Sequence, residues 1–173
     1  NVMDIVQNSI SAGATVIKIS VLEEAQKLTI VVTDNGKGMS KEQVCKVIDP
    51  FFTTRTTRKV GMGIPLFKME AEMTGGSFEI ESDLNQGTKV TATFITTHLD
   101  MLPLGDLNAT VWLLITCNPD LDFIFYRRIG HLDFTLNTKE LKDILGEIPL
   151  NAPDVSQWLK DYLTEQTALL HGG

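Results

Sequence analysis

The sequence predicts an α+β protein, a two-layer sandwich with helices on one face of a mixed, mainly antiparallel β-sheet, plus a C-terminal α/β extension. Three observations support this fold class. Up to about residue 97, amphipathic helical segments alternate with pairs of short strands. A linker rich in Pro, Gly, Asn and Asp, "MLPLGDLN", then opens a second region. The length of 173 residues suits one domain, or one domain with an added subdomain.

The first predicted helix covers residues 2–12, and its apolar side chains recur at helical spacing, which indicates one buried face. Asp4, Asn8 and Ser11 fall on the other side, near the i, i+4 relation that brings side chains together. Gly13 follows, and glycine commonly ends a helix because it adopts the left-handed conformation without strain.

Two pairs of strands are predicted from alternating side chains. The first pair is "TVIKISVL" and "KLTIVVT" around the turn "EEAQ", and the second is "SFEIES" and "TKVTATFI" around "DLNQG". Between the pairs, Ser40 and Gln43 form a capping box for a short helix that reaches about Ile48, and Pro50 ends it.

A loop and a further helix complete this first region. Residues 50–62 show no periodicity and are rich in Thr, Arg and Lys, which is typical of a loop. The next helix, "IPLFKMEAEM", has Pro65 in its first turn and closes at Gly75 and Gly76.

The second region is expected to hold a strand hairpin and two helices. The hairpin is predicted from "ATVWLLITC" and "FIFYRRIGHLDFTL" around "NPDLD", and amphipathic helices follow at about residues 138–147 and 153–170. We therefore divide the chain into residues 1–97 and a C-terminal extension, residues 98–173. The extension is expected to extend the sheet, to cover its open face, or to regulate a site in the first region.

The composition argues against several classes of protein. With 22 acidic and 15 basic residues the formal net charge is −7, which disfavours broad binding to nucleic acid. Cys45 and Cys117 are far apart and form no CxxC pair, so neither a disulfide framework nor a zinc site is expected. This cysteine usage favours a reducing, cytoplasmic location. No apolar run approaches the roughly 20 residues that cross a bilayer, and no signal peptide is visible. The chain opens inside a helical pattern at Asn1 without a methionine, so we expect further protein upstream.

Four separated pieces of the chain carry residues suited to one ligand site. Asp4 and Asn8 lie one helical turn apart, and Asp34, Gly36 and Gly38 end a strand as D-x-G-x-G. The third piece is the basic, Thr-rich loop that leads into "GMG" at a helix start. The fourth is a Gly-Thr pair that opens the strand "TKVTATFI".

Each piece also has a purely structural interpretation. "DNGKGM" after an alternating strand is typical of a hairpin turn, and Asp and Asn one turn apart are typical of a solvated helix face. "GMG" before a helix is a common chain break. Arg55, Arg58 and Lys59 are more often a solvated loop than a phosphate clamp.

Taken together, the pieces predict a nucleotide pocket. The amino group of adenine needs a buried acceptor, and Asp34 at a strand end supplies one. Glycines let the backbone approach a ligand that a Cβ would exclude, and glycines at a helix start direct free N–H groups at phosphate. Mg²⁺ prefers oxygen and keeps several waters, so one carboxamide oxygen from Asn8 suffices.

These pieces, in this order, resemble the GHKL superfamily of gyrase-type, chaperone-type, histidine-kinase-type and mismatch-repair-type ATP-binding domains. "DIVQNSISAGAT" resembles the N box, "DNGKGM" the first glycine box, and "PFFTT" the F box of histidine kinases. "GMGIPLFK" resembles the second glycine box, and "NQGTKVTATF" the strand that closes the pocket. The resemblance covers about residues 1–97 and implies a Bergerat-type ATP-binding fold with ATP and Mg²⁺ as ligands.

The resemblance also implies a role for each matching residue. Asn8 matches the Mg²⁺-binding asparagine, Asp34 the adenine-binding aspartate, and Thr88 its usual helper. Gly61 and Gly63 match the glycines that contact phosphate. Residues 50–62 match the mobile lid over ATP. The other positions that the resemblance assigns to nucleotide binding are Ala12, Gly36, Gly38, Met39, Phe52, Met62 and Ile64.

Two positions depart from the family pattern. Asp4 stands where the family's ATPases usually have glutamate and its histidine kinases asparagine. It keeps the charge but is one methylene shorter, and a misplacement of about 1 Å can cost about a hundredfold in rate. We take Asp4 as the candidate catalytic residue, which would orient or deprotonate water near the terminal phosphate. Pro65 replaces a glycine of many histidine kinases and removes one N–H.

Three functions are compatible with the sequence, in this order of preference. The first is histidine-kinase-like transfer of the γ-phosphate of ATP to a protein side chain in a signalling system. His98, His131 and His171 lie outside any helical phosphoacceptor pattern, so the acceptor is expected upstream or on a separate protein. The second is an ATPase switch that controls a protein partner, which the acidic Asp4 favours. The third is a noncatalytic nucleotide-binding module that docks a partner through the Trp158 helix. Neither nucleic acid nor a membrane segment is expected.

Overall fold

The computed structural model describes residues 2–49, 63–97 and 105–172, and these residues form one six-stranded sheet with helices packed against it. The elements up to residue 97 are α1 (Val2–Ser11), β1 (Val16–Glu24), β2 (Lys27–Asp34), α2 (Lys41–Val47), α3 (Gly63–Met73), β3 (Ser77–Asp83) and β4 (Gly87–Ile95). Those after residue 105 are α4 (Leu107–Cys117), β5 (Asp122–Ile129), β6 (Leu132–Asn137), α5 (Thr138–Leu145) and α6 (Pro153–Leu170).

The sheet has the strand order β3-β4-β2-β1-β5-β6. Every neighbouring pair is antiparallel except β1 and β5, which run parallel from the pair Val16 and Asp122 to the pair Glu23 and Ile129. The predicted fold class, a mixed and mainly antiparallel sheet with helices on one face, is therefore confirmed.

The core lies between the helices and one face of the sheet. Alternate side chains of each central strand are buried there, as period-2 strands require. Three edge-to-face aromatic pairs join a helix to a strand or one strand to the next. They are Phe67 with Phe94 at 5.5 Å, Phe125 with Phe134 at 5.7 Å, and Phe134 with Tyr162 at 6.4 Å between ring centroids. Burial of this apolar surface is the main force that holds the helices on the sheet.

Local signals in the first region correspond closely to the structure. α1 ends at Ser11, and Gly13 follows with a φ of 78°. The capping box of α2 is present, since the Ser40 side chain accepts from the Gln43 amide and the Gln43 side chain accepts from the Ser40 amide. The predicted loop at residues 50–62, with Pro50 at its start, lies outside the described residues.

One predicted strand is wrong. The segment "ATVWLLITC" belongs to helix α4, whose buried residues Leu107, Val111, Leu114 and Ile115 follow helical spacing. Asp106 caps it by accepting a hydrogen bond from the Ala109 amide at 3.0 Å. A nearly continuous apolar run fits a buried strand or a buried helix equally well, so its side chains alone did not distinguish them.

The hairpin of the second region lies inside the single segment "FIFYRRIGHLDFTL". β5 and β6 pair from Ile129 and Leu132 outward, and Gly130 makes the turn with a φ of 62°. The predicted pairing of this segment with "ATVWLLITC" around "NPDLD" is therefore also wrong. The two predicted helices at the end of the chain are present as α5 and α6.

The second region extends the sheet, one of the three arrangements that the sequence left open. β5 pairs with the central strand β1, and α4 packs against both α1 and α6. The division of the chain at residues 97 and 98 stays a prediction. No helix within the described ranges is long and apolar enough to cross a membrane.

Candidate functional site

A cavity of about 250 Å³ opens between α1, the end of β2, the start of β4 and the first turn of α3. Seven residues predicted to bind nucleotide line it together: Asn8, Ala12, Asp34, Gly38, Met39, Ile64 and Thr88. Three others, Phe52, Gly61 and Met62, lie outside the described residues. Residues from four distant parts of the chain thus converge on one concave site, which is the usual form of a small-molecule site.

Asp34 is held by hydrogen bonds to both of its carboxylate oxygens. It is the last residue of β2, and it lies beside Thr88 in the register of β2 and β4. The Ser9 hydroxyl donates to Asp34 Oδ2 at 2.7 Å, and the Gly36 amide donates to Asp34 Oδ1 at 2.8 Å. The carboxylate is therefore fixed in one orientation at the cavity wall.

The two glycines after Asp34 are required by close packing within the protein. A Cβ at Gly36 would lie 2.9 Å from the carbonyl oxygen of Ala12 and 3.1 Å from Asp34 Oδ1. Gly38 has a φ of 66°, and a Cβ there would collide with the carbonyl oxygen of Asp83. Gly36 therefore lets the loop after β2 lie directly against the end of α1, and Gly38 lets the same loop lie against the turn between β3 and β4.

Thr88 is tied to the neighbouring strand by Ser82. The Ser82 and Thr88 hydroxyl oxygens are 2.8 Å apart, and Ser82 also donates to the Gly87 carbonyl at 3.0 Å. In addition, Ser82 Oγ accepts from the Met39 amide at 2.8 Å. One hydroxyl on β3 thereby joins the strand that carries Thr88 to the loop that carries Met39.

Asn8 lies on α1 with its side-chain amide at the cavity. Its Nδ2 atom is buried and has no hydrogen-bond partner among the described residues. A buried amide group without a partner is costly, so this end of the cavity suits a polar ligand. Either end of the carboxamide can face that ligand, because rotation about its terminal bond exchanges oxygen and nitrogen.

Asp4 lies one turn before Asn8, against the start of α3. A Cβ placed on Gly63 would be 2.5 Å from the Cβ of Asp4, so the two helices meet at this point. The Asp4 side chain therefore stands beside the N-terminal turn of α3, where unpaired backbone N–H groups favour negative charge. In the part of the chain described, no cluster of three His, Cys, Asp or Glu side chains could hold a metal unaided.

The remaining wall of the cavity is apolar. It is formed by Ile5, Val32, Val47, Ile64 and Val90. An apolar slot with one fixed carboxylate at its wall suits a flat, mainly apolar ring that carries a hydrogen-bond donor. Asn8, on α1, suits a polar group attached to that ring. Asp4, the candidate catalytic residue, is not among the residues that line this cavity.

Sequence reasoning missed four polar residues of this site: Ser9, Ser11, Ser82 and Lys37, of which Ser9, Ser11 and Lys37 line the cavity. Ser9 could have been found, because it occupies the same apolar stripe of α1 as Val2, Ile5 and Val6. A serine on a buried stripe needs a hydrogen-bond partner. Ser82 gave no comparable signal, because its partners come together only through strand register.

The fold and the cavity define a class of protein: an α+β sandwich with a nucleotide-type site between its helical layer and the ends of its central strands. The family model described as "Histidine kinase-, DNA gyrase B-, and HSP90-like ATPase" matches residues 2–98. The chain belongs to this family of ATP-binding domains, as the resemblance of its motifs implied.

Similar proteins include bacterial kinases. The chain is 37% identical over 81 residues to Sporulation kinase D of Bacillus subtilis strain 168, an alignment covering 47% of this chain and 15% of that protein. It is 30% identical over 76 residues to Sensor histidine kinase ZraS of Escherichia coli K12, covering 44% of this chain and 16% of that protein. The chain thus spans about a sixth of the length of these relatives.

A solved structure supports the fold over more of the chain. The crystal structure of the N-terminal domain of a DNA repair protein superimposes with a TM-score of 0.58 and 13% sequence identity. The match covers 84% of this chain and 56% of that one. At this identity the similarity shows the fold alone.

Proposed function

We propose that this chain is the Mg-ATP-binding domain of a histidine-kinase-like signalling protein, and that it transfers the γ-phosphate of ATP to a side chain of a protein partner. The observation that carries the proposal is the convergence of Asn8 and Asp34 on one cavity. The similarity to Sporulation kinase D and to Sensor histidine kinase ZraS supports the kinase assignment.

Recognition of adenine is assigned to the cavity wall around Asp34. The carboxylate is an acceptor that the exocyclic amino group of adenine can satisfy, and Thr88 stands beside it in the register of β2 and β4. The apolar side chains of the opposite wall would cover the faces of the ring. This arrangement fixes one end of the nucleotide and directs its phosphates toward α1.

The phosphates are assigned to the space between Asn8 and the start of α3. Asn8 would hold Mg²⁺ through its carboxamide oxygen, and the first turn of α3 would offer N–H groups to phosphate. When bound, Mg²⁺ supplies charge neutralisation at the phosphates. Gly63 lets α3 begin close to Asp4 on α1, and Ile64, the next residue of α3, lines the cavity together with Asn8.

A second function, an ATPase switch, is favoured by the position of Asp4. Its carboxylate lies at the helix start that would receive the terminal phosphate, where it could orient a water and accept its proton. Hydrolysis would then release the contacts that phosphate makes with the helix start, and such a loss of contacts commonly switches a partner surface.

A cytoplasmic location is part of the proposal. Both cysteines of the chain, Cys45 and Cys117, are unpaired and exposed, which fits a reducing compartment. The protein phosphoacceptor would be met in the same compartment.

Incubation of the complete gene product with γ-labelled ATP and Mg²⁺ distinguishes the two functions. Label on protein supports the kinase, and labelled free phosphate supports the switch. Asp34→Asn serves as the control, because it keeps the side-chain size but replaces an acceptor oxygen by an amide. If Asp34→Asn binds and consumes ATP as the unaltered protein does, the site assignment is wrong.

A further inference from the structure

Ser9 is a polar side chain on the buried stripe of α1. It is 5% exposed, and its neighbours on the stripe are Val2, Ile5 and Val6. A helical serine commonly bonds back to the carbonyl one turn earlier. Here its hydroxyl instead donates to Asp34 Oδ2 at 2.7 Å, across 25 residues of sequence. The bond links the helix that carries Asn8 to the carboxylate at the end of β2.

A count of lone pairs shows what this bond leaves for a ligand. An ionised carboxylate has about four acceptor positions and no donor. The described residues fill one on Oδ1, from the Gly36 amide, and one on Oδ2, from Ser9. The remaining positions can only accept. They therefore suit an amino group on the ring, whereas a keto oxygen in the same place would meet a second acceptor.

The two protein bonds differ in how they constrain Asp34. The Gly36 amide lies two residues along the same chain segment, so it moves with the loop. Ser9 lies on another element and is fixed by the packing of α1 against the sheet. Loss of the Ser9 hydroxyl would leave Oδ2 without this donor and the carboxylate held through Oδ1 alone, so the carboxylate could turn about its terminal bond.

We infer that Ser9 is a positioning residue for base selectivity: its hydroxyl holds Asp34 in the orientation that favours a 6-amino purine over purines without that group. The inference rests on the proposed ATP site and deepens it. Ser9 acts through Asp34, so its effect is confined to the part of the binding energy that the amino group supplies.

The test compares two ligands that differ only in that amino group. The full chain is titrated by calorimetry with Mg-ATP and with the Mg complex of purine riboside triphosphate, which lacks the 6-amino group. For Ser9→Ala we expect ATP affinity to fall about tenfold, as for loss of a hydrogen bond to a charged group. The affinity for the purine analogue should change less than about twofold. Ser9→Thr, which keeps the hydroxyl, should retain the preference for ATP.

A matched control distinguishes the effect of Ser9 on base selectivity from the general effect of removing a buried serine hydroxyl. Ser20 is 9% exposed and its side chain points to the face of the sheet opposite the core, so Ser20→Ala should leave both affinities unchanged. Thermal unfolding of each variant checks that it is folded. If Ser9→Ala does not fold, Ser9→Cys keeps the size but donates weakly and gives the same comparison.

Two results would overturn the inference. Equal weakening of both ligands by Ser9→Ala would show that Ser9 only supports the fold of the site, and unchanged ATP affinity would show that Asp34 needs no help. Failure of the unaltered protein to bind either ligand is a different result, because it would reject the proposed ATP site itself.

Discussion

Asp4 and Gly63 lie where helices α1 and α3 meet, with only 2.5 Å between the Asp4 Cβ and the position that a Cβ on Gly63 would take. Real Cβ atoms do not come this close, so no side chain fits at residue 63 without a shift of the helices. The contact places the Asp4 carboxylate beside the N-terminus of α3. It also explains why the last residue of "GMG", Gly63, is a glycine.

We predict that Gly63→Ala separates the two helices at this point. The added methyl group should lower the free energy of unfolding by about 1–3 kcal/mol, as is usual for overpacking, and should impair both phosphate release and phosphate transfer. Chemical denaturation and the γ-label assay measure the two effects. The same substitution in an Asp4→Gly background, which lacks the opposing Cβ, should cost clearly less. An equal cost in both backgrounds would mean that the methyl group is accommodated elsewhere.

Asp4→Asn should spare ATP binding but abolish release of free phosphate. The carboxamide keeps the shape of the side chain but cannot accept a proton from water at neutral pH. Calorimetry with Mg-ATP and a phosphate-release assay together check this prediction. Asp120→Asn, at an exposed turn, is the matched control and should change neither quantity. Hydrolysis by Asp4→Asn at the unaltered rate would remove Asp4 from the role of base.

Asn8→Ala should weaken nucleotide binding only when Mg²⁺ is present. The proposed role of Asn8 is to hold the cation, so its loss should matter little to ATP in the presence of EDTA. With Mg²⁺ we expect a loss of affinity of about 10- to 100-fold, the range seen when support of a metal site is removed. Calorimetric titrations with and without EDTA give the comparison. An equal loss in both conditions would indicate that Asn8 contacts the nucleotide directly.

The sequence predicted most of the first region, because its signals are local. The capping box of Ser40 and Gln43, the glycine after α1 and the alternation of β1 and β2 each depend on a few neighbouring residues. The candidate site was predicted as a set of motifs in order, and seven of its residues line one cavity.

What the sequence did not predict depends on contacts between distant segments. The bond from Ser9 to Asp34 and the bonds of Ser82 require the register of the strands and the docking of α1. The helix α4 was predicted as a strand because nearly all of its residues from Val111 onward are apolar, so the 3.6-residue period of a helix does not show in the sequence. The parallel pairing of β5 with β1 joins residues about a hundred positions apart, and no local pattern specifies it.

The parallel pairing of β5 with β1 also predicts that the two regions of the chain unfold together. Phe125 is fully buried in β5, and its ring packs edge to face on Phe134. Phe125→Ala should lower the free energy of unfolding by about 3–5 kcal/mol, the usual cost of such a cavity. β1 pairs with β5 on one side and with β2, the strand that carries Asp34, on the other. The region around Asp34 should therefore unfold together with β5, and its free energy of unfolding should fall by the same amount.

Two probes test this coupling in one protein. Both tryptophans, Trp112 and Trp158, lie in the second region, so their fluorescence reports its unfolding alone. Protection by Mg-ATP reports the first region, since a ligand stabilises only the unit that binds it. We expect Mg-ATP to raise the midpoint of the tryptophan transition, and Phe125→Ala to lower it with and without nucleotide. A tryptophan transition that ignores Mg-ATP would mean that residues 98–173 fold as an independent domain, and the division of the chain at residue 97 would then be a true domain boundary.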